Sequence, residues 1–432
     1  MKKLFITLSI YLSAAFTASA QQSFTLVECR EMALQNNQRL AVSALEKEKA
    51  NWTAKSVRTH YLPNFSASST GFFSQSQEAM ELELPNIGVI PLDLDISKLI
   101  VADVRVEQPL YTGGKITSGY KMAESGVEIA KLNQRLTEEE VLLETDKAFW
   151  LCIQARELHK GAESYKQTVE EFLKTIENAQ EVGLKTRSEA MKVKVQYNQA
   201  VLQLKRAENA IRLTKMNLCN VMGQELDSTF ELSEAFSDDA STAVAGSLEA
   251  RPEMAILNKQ IELKSLEKKY IRADYLPQIG LKGSYNYLWG PEFGGEPLMG
   301  KSAAFSAMVS VSVPLFHWGE GRKKIRAAEK DIEIASRQRE YARSQMTLEV
   351  QQAICNYEEA ALEASQTLDA LNQCEENMRV SRNSYDAGME TVADYLEAQA
   401  LWRNAYAEHI VAKTRLEIYR SEYLKAVGRL GR

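Results

Sequence analysis

Apolar and polar positions alternate along residues 275–289. Ile279, Leu281, Tyr285, Tyr287 and Trp289 fall on one side, and Gln278, Lys282, Ser284 and Asn286 on the other. Residues 303–317 repeat the pattern, with Phe305, Ala307, Val309, Val311 and Val313 set against Ser306, Ser310 and Ser312. Val104 and Val106 alternate with Asp103, Arg105 and Glu107 in the same way. Period two with one apolar face predicts half-buried strands, at about 61–75, 100–112, 275–289 and 303–317. Each is roughly ten residues long, enough to cross a bilayer as a tilted strand. Tyr287 with Trp289, and Phe316 with Trp318, sit near strand ends like an interfacial girdle. The stretches between the strands, 82–94 and 290–300, are rich in Pro and Gly and read as irregular external loops.

Elsewhere the period is helical. No proline lies between Pro109 and Pro252, and none follows Pro314. From Arg322 to Ala387 there is no glycine, which predicts a helix of roughly 64 residues spanning about 96 Å. The matching run from Lys115 to Gln180 is about as long, with Gly161 the only break after Gly126. After Gly183 a seven-residue repeat places Tyr197, Leu204, Ile211 and Leu218 on one stripe, with Ala200, Ala207, Thr214 and Val221 beside it. After Gly388 the stripe holds Trp402, His409, Leu416 and Tyr423, with Ala405, Ala412, Tyr419 and Ala426. Large residues alternating with small ones at heptad positions suit close coiled-coil packing. His409 reads as a packing residue within that stripe.

The chain is two copies of one unit. Tyr61-Leu62-Pro63 recurs as Tyr275-Leu276-Pro277 at an offset of 214 residues. Val106 to Leu110 recurs as Val311 to Leu315, Gly183 as Gly388 and Gly223 as Gly428, each at an offset of 205. A nine-residue insertion that leaves its flanks in step belongs in a loop. The predicted organisation is residues 21–246 as the first repeat and 247–432 as the second, each in the order helix, strand, strand, long helix, long helix. The opening helices run roughly from Leu26 to His60 and from Pro252 to Asp274, and the long hairpins turn near 183 and 388. The fold class is mainly α with a transmembrane β part. Four strands cannot close a barrel alone, and open edges in lipid leave backbone groups unpaired at several kcal/mol each. Three copies would give twelve strands.

Composition adds the compartment. Lys2 and Lys3, an apolar run from Leu4 to Phe16 and Ala18-Ser19-Ala20 form a secretory signal over residues 1–20. The 432 residues carry a net charge of −6, or −8 without those two lysines. An acidic chain with no basic stripe argues against a nucleic-acid partner. Cys29, Cys152, Cys219, Cys355 and Cys374 show no Cys-x-x-Cys spacing, and the last four fall in helical stretches as small buried packing residues. A disulfide in an oxidising compartment stays open, without an assignable pair. No nucleotide, zinc-protease or serine-hydrolase motif occurs, and Gly113-Gly114 lacks the lysine-serine continuation of a phosphate loop. The expectation is a protein that is not an enzyme and holds no cofactor or metal.

The candidate chemistry sits at the second turn. Gly388 breaks one helix, Thr391 is placed as the N-cap of the next, and Asp394 and Glu397 follow three apart on one face. Carboxylates in a first turn also complement the helix dipole. The first turn carries Glu189 and Lys192 at the equivalent positions.

The duplicated unit resembles the TolC family of outer-membrane efflux channels over nearly the whole chain. The resemblance rests on Tyr61 and Tyr275 at the Tyr-Leu-Pro starts and on the joints Gln108 to Lys115 and Val313 to Gly319. It rests also on Tyr385-Asp-Ala-Gly388 with its acids, and on Gly223 and Gly428. It implies a homotrimer, a twelve-stranded β-barrel in outer-membrane lipid continued by an α-helical coiled-coil barrel, and docking to a periplasmic membrane-fusion adaptor and an inner-membrane transporter. It implies that Asp394 and Glu397 ring the periplasmic aperture, and that Tyr385 and Glu189 hold the closed state. The family's latch arginine is replaced by Glu390 here, with Arg187 as a substitute cation. The expected function is passive efflux of small molecules. The exit duct of a type I protein secretion system and a soluble periplasmic coiled-coil adaptor are the alternatives.

Overall fold

The computed structural model describes residues 23–73, 80–84, 88–92, 94–95, 98–226, 230–233, 236, 247–290, 292–293, 296–297 and 302–431. The signal-sequence reading over 1–20 lies outside them. Seven helices are present among the described residues: α1 Leu26–Asn36, α2 Gln38–Arg58, α3 Lys115–Glu181, α4 Arg187–Met222, α5 Pro252–Ala273, α6 Glu320–Asp386 and α7 Val392–Ala426. The strands are β1 Ser23–Phe24, β2 Asn64–Phe73, β3 Met80–Leu84, β4 Gly88–Leu92, β5 Leu94–Asp95, β6 Lys98–Tyr111, β7 Glu231–Leu232, β8 Gln278–Trp289, β9 Glu292–Phe293, β10 Glu296–Pro297 and β11 Ser302–Ser312. None of the described helices is long and apolar enough to cross a membrane. Contacts divide the chain into two units.

One unit comprises residues 46–131 and 256–340. Its centre is a four-stranded antiparallel sheet in the order β11-β8-β6-β2. Val104 pairs with Tyr285, Tyr285 with Phe305, and Leu281 with Val309, so the apolar positions share one face. The other face carries a polar network. Ser68 Oγ donates to Asp103 Oδ1 at 2.5 Å, Lys282 Nζ lies 3.1 Å from Glu107, and Ser284 and Ser306 hydroxyls meet at 2.7 Å. The alternation therefore sorts side chains as the sequence predicts. Two details differ. The last strand stops at Ser312, since Pro314 has no N–H to continue the ladder. The stretches read as irregular loops contain β3, β4, β5, β9 and β10, because short alternating runs there find antiparallel partners.

The joint from β6 into α3 needs glycine. Gly113 has φ 63°, and a Cβ there would lie 2.7 Å from Leu276 Cβ and 2.8 Å from the Ala273 carbonyl oxygen. Lys115 Nζ then meets Asp274 at 2.5 Å and lies 5.0 Å above the Tyr270 ring. Trp318 occupies the equivalent place in the second repeat with φ 49°.

The other unit comprises residues 1–45, 132–255 and 341–432. The expected single helix from Leu26 to His60 is two helices, broken at the buried Asn37. Asn37 leaves helical backbone geometry, at φ −65° and ψ 128°. Its Nδ2 donates to the Val221 carbonyl at 2.8 Å, and its Oδ1 accepts from Arg39 N at 2.8 Å. One side chain thus caps α2 and satisfies the end of α4. In the second repeat Arg251 does the second job: Nη1 donates to the Ala426 carbonyl at 3.3 Å, and the guanidinium pairs with Glu253 and Glu349 at 2.8 Å each. Val221 and Ala426 are 205 residues apart, so the repeats solve one capping problem with different side chains. Arg30 grips the fully buried Asp146 through two hydrogen bonds of 2.6 and 2.7 Å.

Helix α3 runs unbroken through Gly126 and Gly161 for 67 residues, contrary to the expected interruptions. Gly161 is a packing socket: a Cβ there would sit 2.4 Å from Tyr406 Cε1. The Tyr406 hydroxyl donates to the Glu157 carbonyl at 3.3 Å. Cys29, Cys152 and Cys219 share one core with Phe149, Trp150, Leu218 and Met222, and burial pushes the Cys152 and Cys219 thiols up. Cys355, expected to be buried, is exposed, and Cys374 is half-buried, because both lie off the packed stripe of α6. No disulfide joins any of the five. His409 is buried, with Nδ1 3.2 Å from Thr367 Oγ1.

Candidate functional site

Each long hairpin reverses through five residues, 182–186 and 387–391. Gly183 and Gly388 adopt φ 79° and 76°, which an L side chain resists. Leu184 N donates to the Ala179 carbonyl and Met389 N to the Ser384 carbonyl, both at 2.8 Å. These bonds close the ends of α3 and α6. The next helices then start on matching capping boxes. Thr186 N donates to Glu189 Oε2 at 2.8 Å, and Glu189 N donates to Thr186 Oγ1 at 3.3 Å. Thr391 N donates to Asp394 Oδ2 at 2.9 Å, and Asp394 N donates to Thr391 Oγ1 at 3.3 Å.

Glu189 and Asp394 are thus the same residue of two equivalent turns, each spent on a cap. The hydrogen bonds from the Thr391 hydroxyl and amide hold the Asp394 carboxyl below the usual carboxylate range. Those from the Thr186 amide and hydroxyl do the same for Glu189. Glu397 is exposed one turn beyond Asp394.

The two hairpins pack around one core. Tyr165, Val169, Phe172 and Ile176 of α3 meet Ala190 and Val193 of α4, and Val392, Tyr395 and Leu396 of α7. Tyr385 closes its edge, stacked on Tyr395 at 5.9 Å between centroids and edge-on to Phe172 at 5.2 Å. Lys185 Nζ lies 4.9 Å above the Tyr385 ring and 3.5 Å from Glu189. One cation therefore touches the predicted closed-state residues of both hairpins. Arg187, the expected substitute cation, is exposed at the start of α4. Glu390 turns back to its own hairpin and accepts a short hydrogen bond from the buried Ser381 hydroxyl. Sequence reasoning missed Lys185, although the signal was present. Gly-Leu-Lys-Thr and Gly-Met-Glu-Thr align at the 205-residue offset, which puts Lys185 opposite Glu390 in the repeat. The same alignment pairs Leu184 with Met389, 78% and 77% exposed at the two turns.

Among the described residues, no group of three or more His, Cys, Asp or Glu side chains is arranged to hold a metal.

A family model described as outer membrane efflux protein matches residues 29–224 and 245–429. The outer membrane protein TolC of Vibrio cholerae serotype O1 is 24% identical over 424 residues, covering 92% of this chain and 89% of that protein. The CmeC outer membrane channel of Campylobacter jejuni superposes with a TM-score of 0.78 at 17% identity, over 94% of this chain and 85% of that one. The outer membrane protein VceC of Vibrio cholerae gives 0.75 at 17% identity, over 93% and 96%. With its helical hairpins, its two-faced sheet and a family match over most of its length, the chain belongs to the outer membrane efflux protein family and is an outer-membrane efflux channel reaching into the periplasm.

Proposed function

We propose that three copies of this chain form a passive duct for small molecules, docked to a periplasmic membrane-fusion adaptor and an inner-membrane transporter. The observation that carries the proposal is the sheet. It has one apolar and one polar face, and its edges, β2 and β11, are unpaired among the described residues. A sheet of this kind needs further strands to survive in lipid, and closure around the polar face gives a water-filled lumen. The exposed Leu184 and Met389 give each hairpin tip an apolar contact for the adaptor. Asp394 and Glu397 ring the aperture, and the Lys185 ammonium, between Glu189 and Tyr385, holds the two hairpins together in the closed state.

The test is conductance of the purified protein in planar bilayers, with and without divalent cations. Asp394→Ala with Glu397→Ala is expected to relieve cation block. Unchanged block in the double variant would remove these residues from the aperture.

A further inference from the structure

We propose that the groove where α3, α4 and α7 meet binds a small aromatic anion, an arene carrying one sulfonate or carboxylate, at one site per chain. The inference rests on the helical unit alone and does not depend on the duct reading above.

The groove encloses about 420 Å³, the volume of a pocket for a small organic molecule. Its floor is made of residues too small to fill it, Ala155 and Gly161 of α3 and Ala207 and Ala210 of α4. Its wall is Trp402 and Tyr406 of α7, with ring centroids 5.8 Å apart and planes tilted by 31°. The Tyr406 ring is fixed, seated on Gly161 and tied by its hydroxyl to the Glu157 carbonyl. A flat ring can lie on this floor against a wall already set, so little order is lost on binding.

The charge of the groove selects the sign of its ligand. Arg206 and Arg403 line it and no Asp or Glu does, in a chain whose acids outnumber its bases by 58 to 52. Neither arginine makes an ion pair among the described residues. Glu208, two residues from Arg206, is taken by Lys205, and Glu157 by Lys160. Arg403 donates from Nη2 to the neutral Asn404 side chain at 3.0 Å, and its guanidinium lies 5.2 Å over the Tyr165 ring. A guanidinium held flat and without a carboxylate is suited to receive one, or a sulfonate, through paired N–H bonds.

A second observation marks the same end of the groove. Gln399, one turn before Arg403 on the same face of α7, is fully buried, and neither its amide nitrogen nor its amide oxygen has a hydrogen-bond partner among the described residues. An amide buried in this way costs free energy that a leucine in its place would not. Beside the Arg403 guanidinium its N–H is a further donor for the head group. The fold itself asks for none of these side chains. The positions 205 residues away from Gly161, Arg206, Gln399, Arg403 and Tyr406 hold Gln366, Val411, Lys194, Asn198 and Val201. The other repeat therefore builds its hairpin without the glycine seat, the ring on it, the buried amide or either arginine.

The experiment is isothermal titration calorimetry of the full chain in phosphatidylcholine nanodiscs. The probes are naphthalene-2-sulfonate and the uncharged naphthalene-2-sulfonamide. The sulfonate is expected to bind at one site per chain, about tenfold more tightly than the sulfonamide. R403Q should weaken the sulfonate about tenfold and leave the sulfonamide unchanged, and R403K should recover part of the loss, keeping the charge without the planar fork. R206Q, at an exposed position where folding is not at stake, should weaken the sulfonate less. Q399L should weaken the sulfonate without lowering the unfolding midpoint of the free protein, whereas a residue needed only for packing would do the reverse. The site is overturned if the two probes bind alike, since the groove is then merely apolar, or if neither binds. It is also overturned if the R206Q–R403Q double variant holds the sulfonate as tightly as the parent. A Q399L variant with a lower midpoint and unchanged affinity would overturn the placing of the head group beside Gln399.

Discussion

Replacing Gly161 by alanine puts a methyl carbon 2.4 Å from Tyr406 Cε1 and 2.7 Å from Cδ1, where carbon atoms sit comfortably at about 3.5–4.0 Å. The ring must move by roughly 1 Å or α3 and α7 must separate. Ring movement strains the Tyr406 hydroxyl bond to the Glu157 carbonyl, worth about 1 kcal/mol. Overpacking adds roughly 1–3 kcal/mol. Against this, alanine in a helix interior is favoured over glycine by about 1 kcal/mol. The net expectation is destabilisation of roughly 1–3 kcal/mol. Shortening the partner reverses the sign: in a Tyr406→Leu background, Gly161→Ala should stabilise by about 1 kcal/mol, the propensity gain alone. The assay is guanidinium unfolding of the detergent-solubilised protein followed by helical circular dichroism, for all four members of the cycle. A higher midpoint for Gly161→Ala with Tyr406 in place would refute the socket, and glycine would then be an accident of the sequence.

Lys185→Glu sets two acids side by side and removes the cation above Tyr385, so the closed channel should leak; bilayer conductance measures this, and Lys185→Arg should stay closed. Asp146→Ala removes both charged hydrogen bonds that Arg30 makes to it and should cost about 3 kcal/mol by denaturant unfolding, whereas Arg30→Met combined with Asp146→Leu recovers most of it. The capping carboxylates of Glu189 and Asp394 titrate below their unfolded values, so the stability they give is present above the ordinary carboxylate pKa and is lost as pH falls through the lowered one. Protection of the amides at both turns, taken relative to the intrinsic exchange rate at each pH, should therefore hold at about pH 4.5 and fall only below the ordinary carboxylate range. Arg251→Ala leaves the Ala426 carbonyl and two carboxylates without their donor, and exchange at the end of α7 should report the loss.

What could be read from the sequence was what repeats. The strands showed themselves because period two sorts Val104, Tyr285 and Val309 from Arg105, Ser284 and Ser310, whatever lies beside them. Both hairpin turns were legible because glycine there answers a local backbone demand. Asn37 was not, since the helical pattern runs straight through it, and what breaks the helix is a carbonyl 184 residues away. Gly161 was misread for the same reason: its role belongs to Tyr406, a residue of another helix. The capping role of Asp394 was only half legible, because its spacing to Glu397 drew notice before its spacing to Thr391. Lys185 needed the two turns laid over each other.

The equal lengths of α3 and α6 have a consequence for how this chain can evolve. Both have 67 residues, and both ends of each are offset by 205. Deleting one residue from either would draw its turn back by about 1.5 Å and rotate it by about 100°. Tyr385 would swing off Phe172 and Tyr395, and the ammonium of Lys185 would lose its ring. Length changes inside these helices are therefore barred unless both change together, and drift in length is pushed elsewhere. The nine-residue difference between the repeats falls where that rule predicts, in the segments joining the strands, where extra chain alters no helical phase.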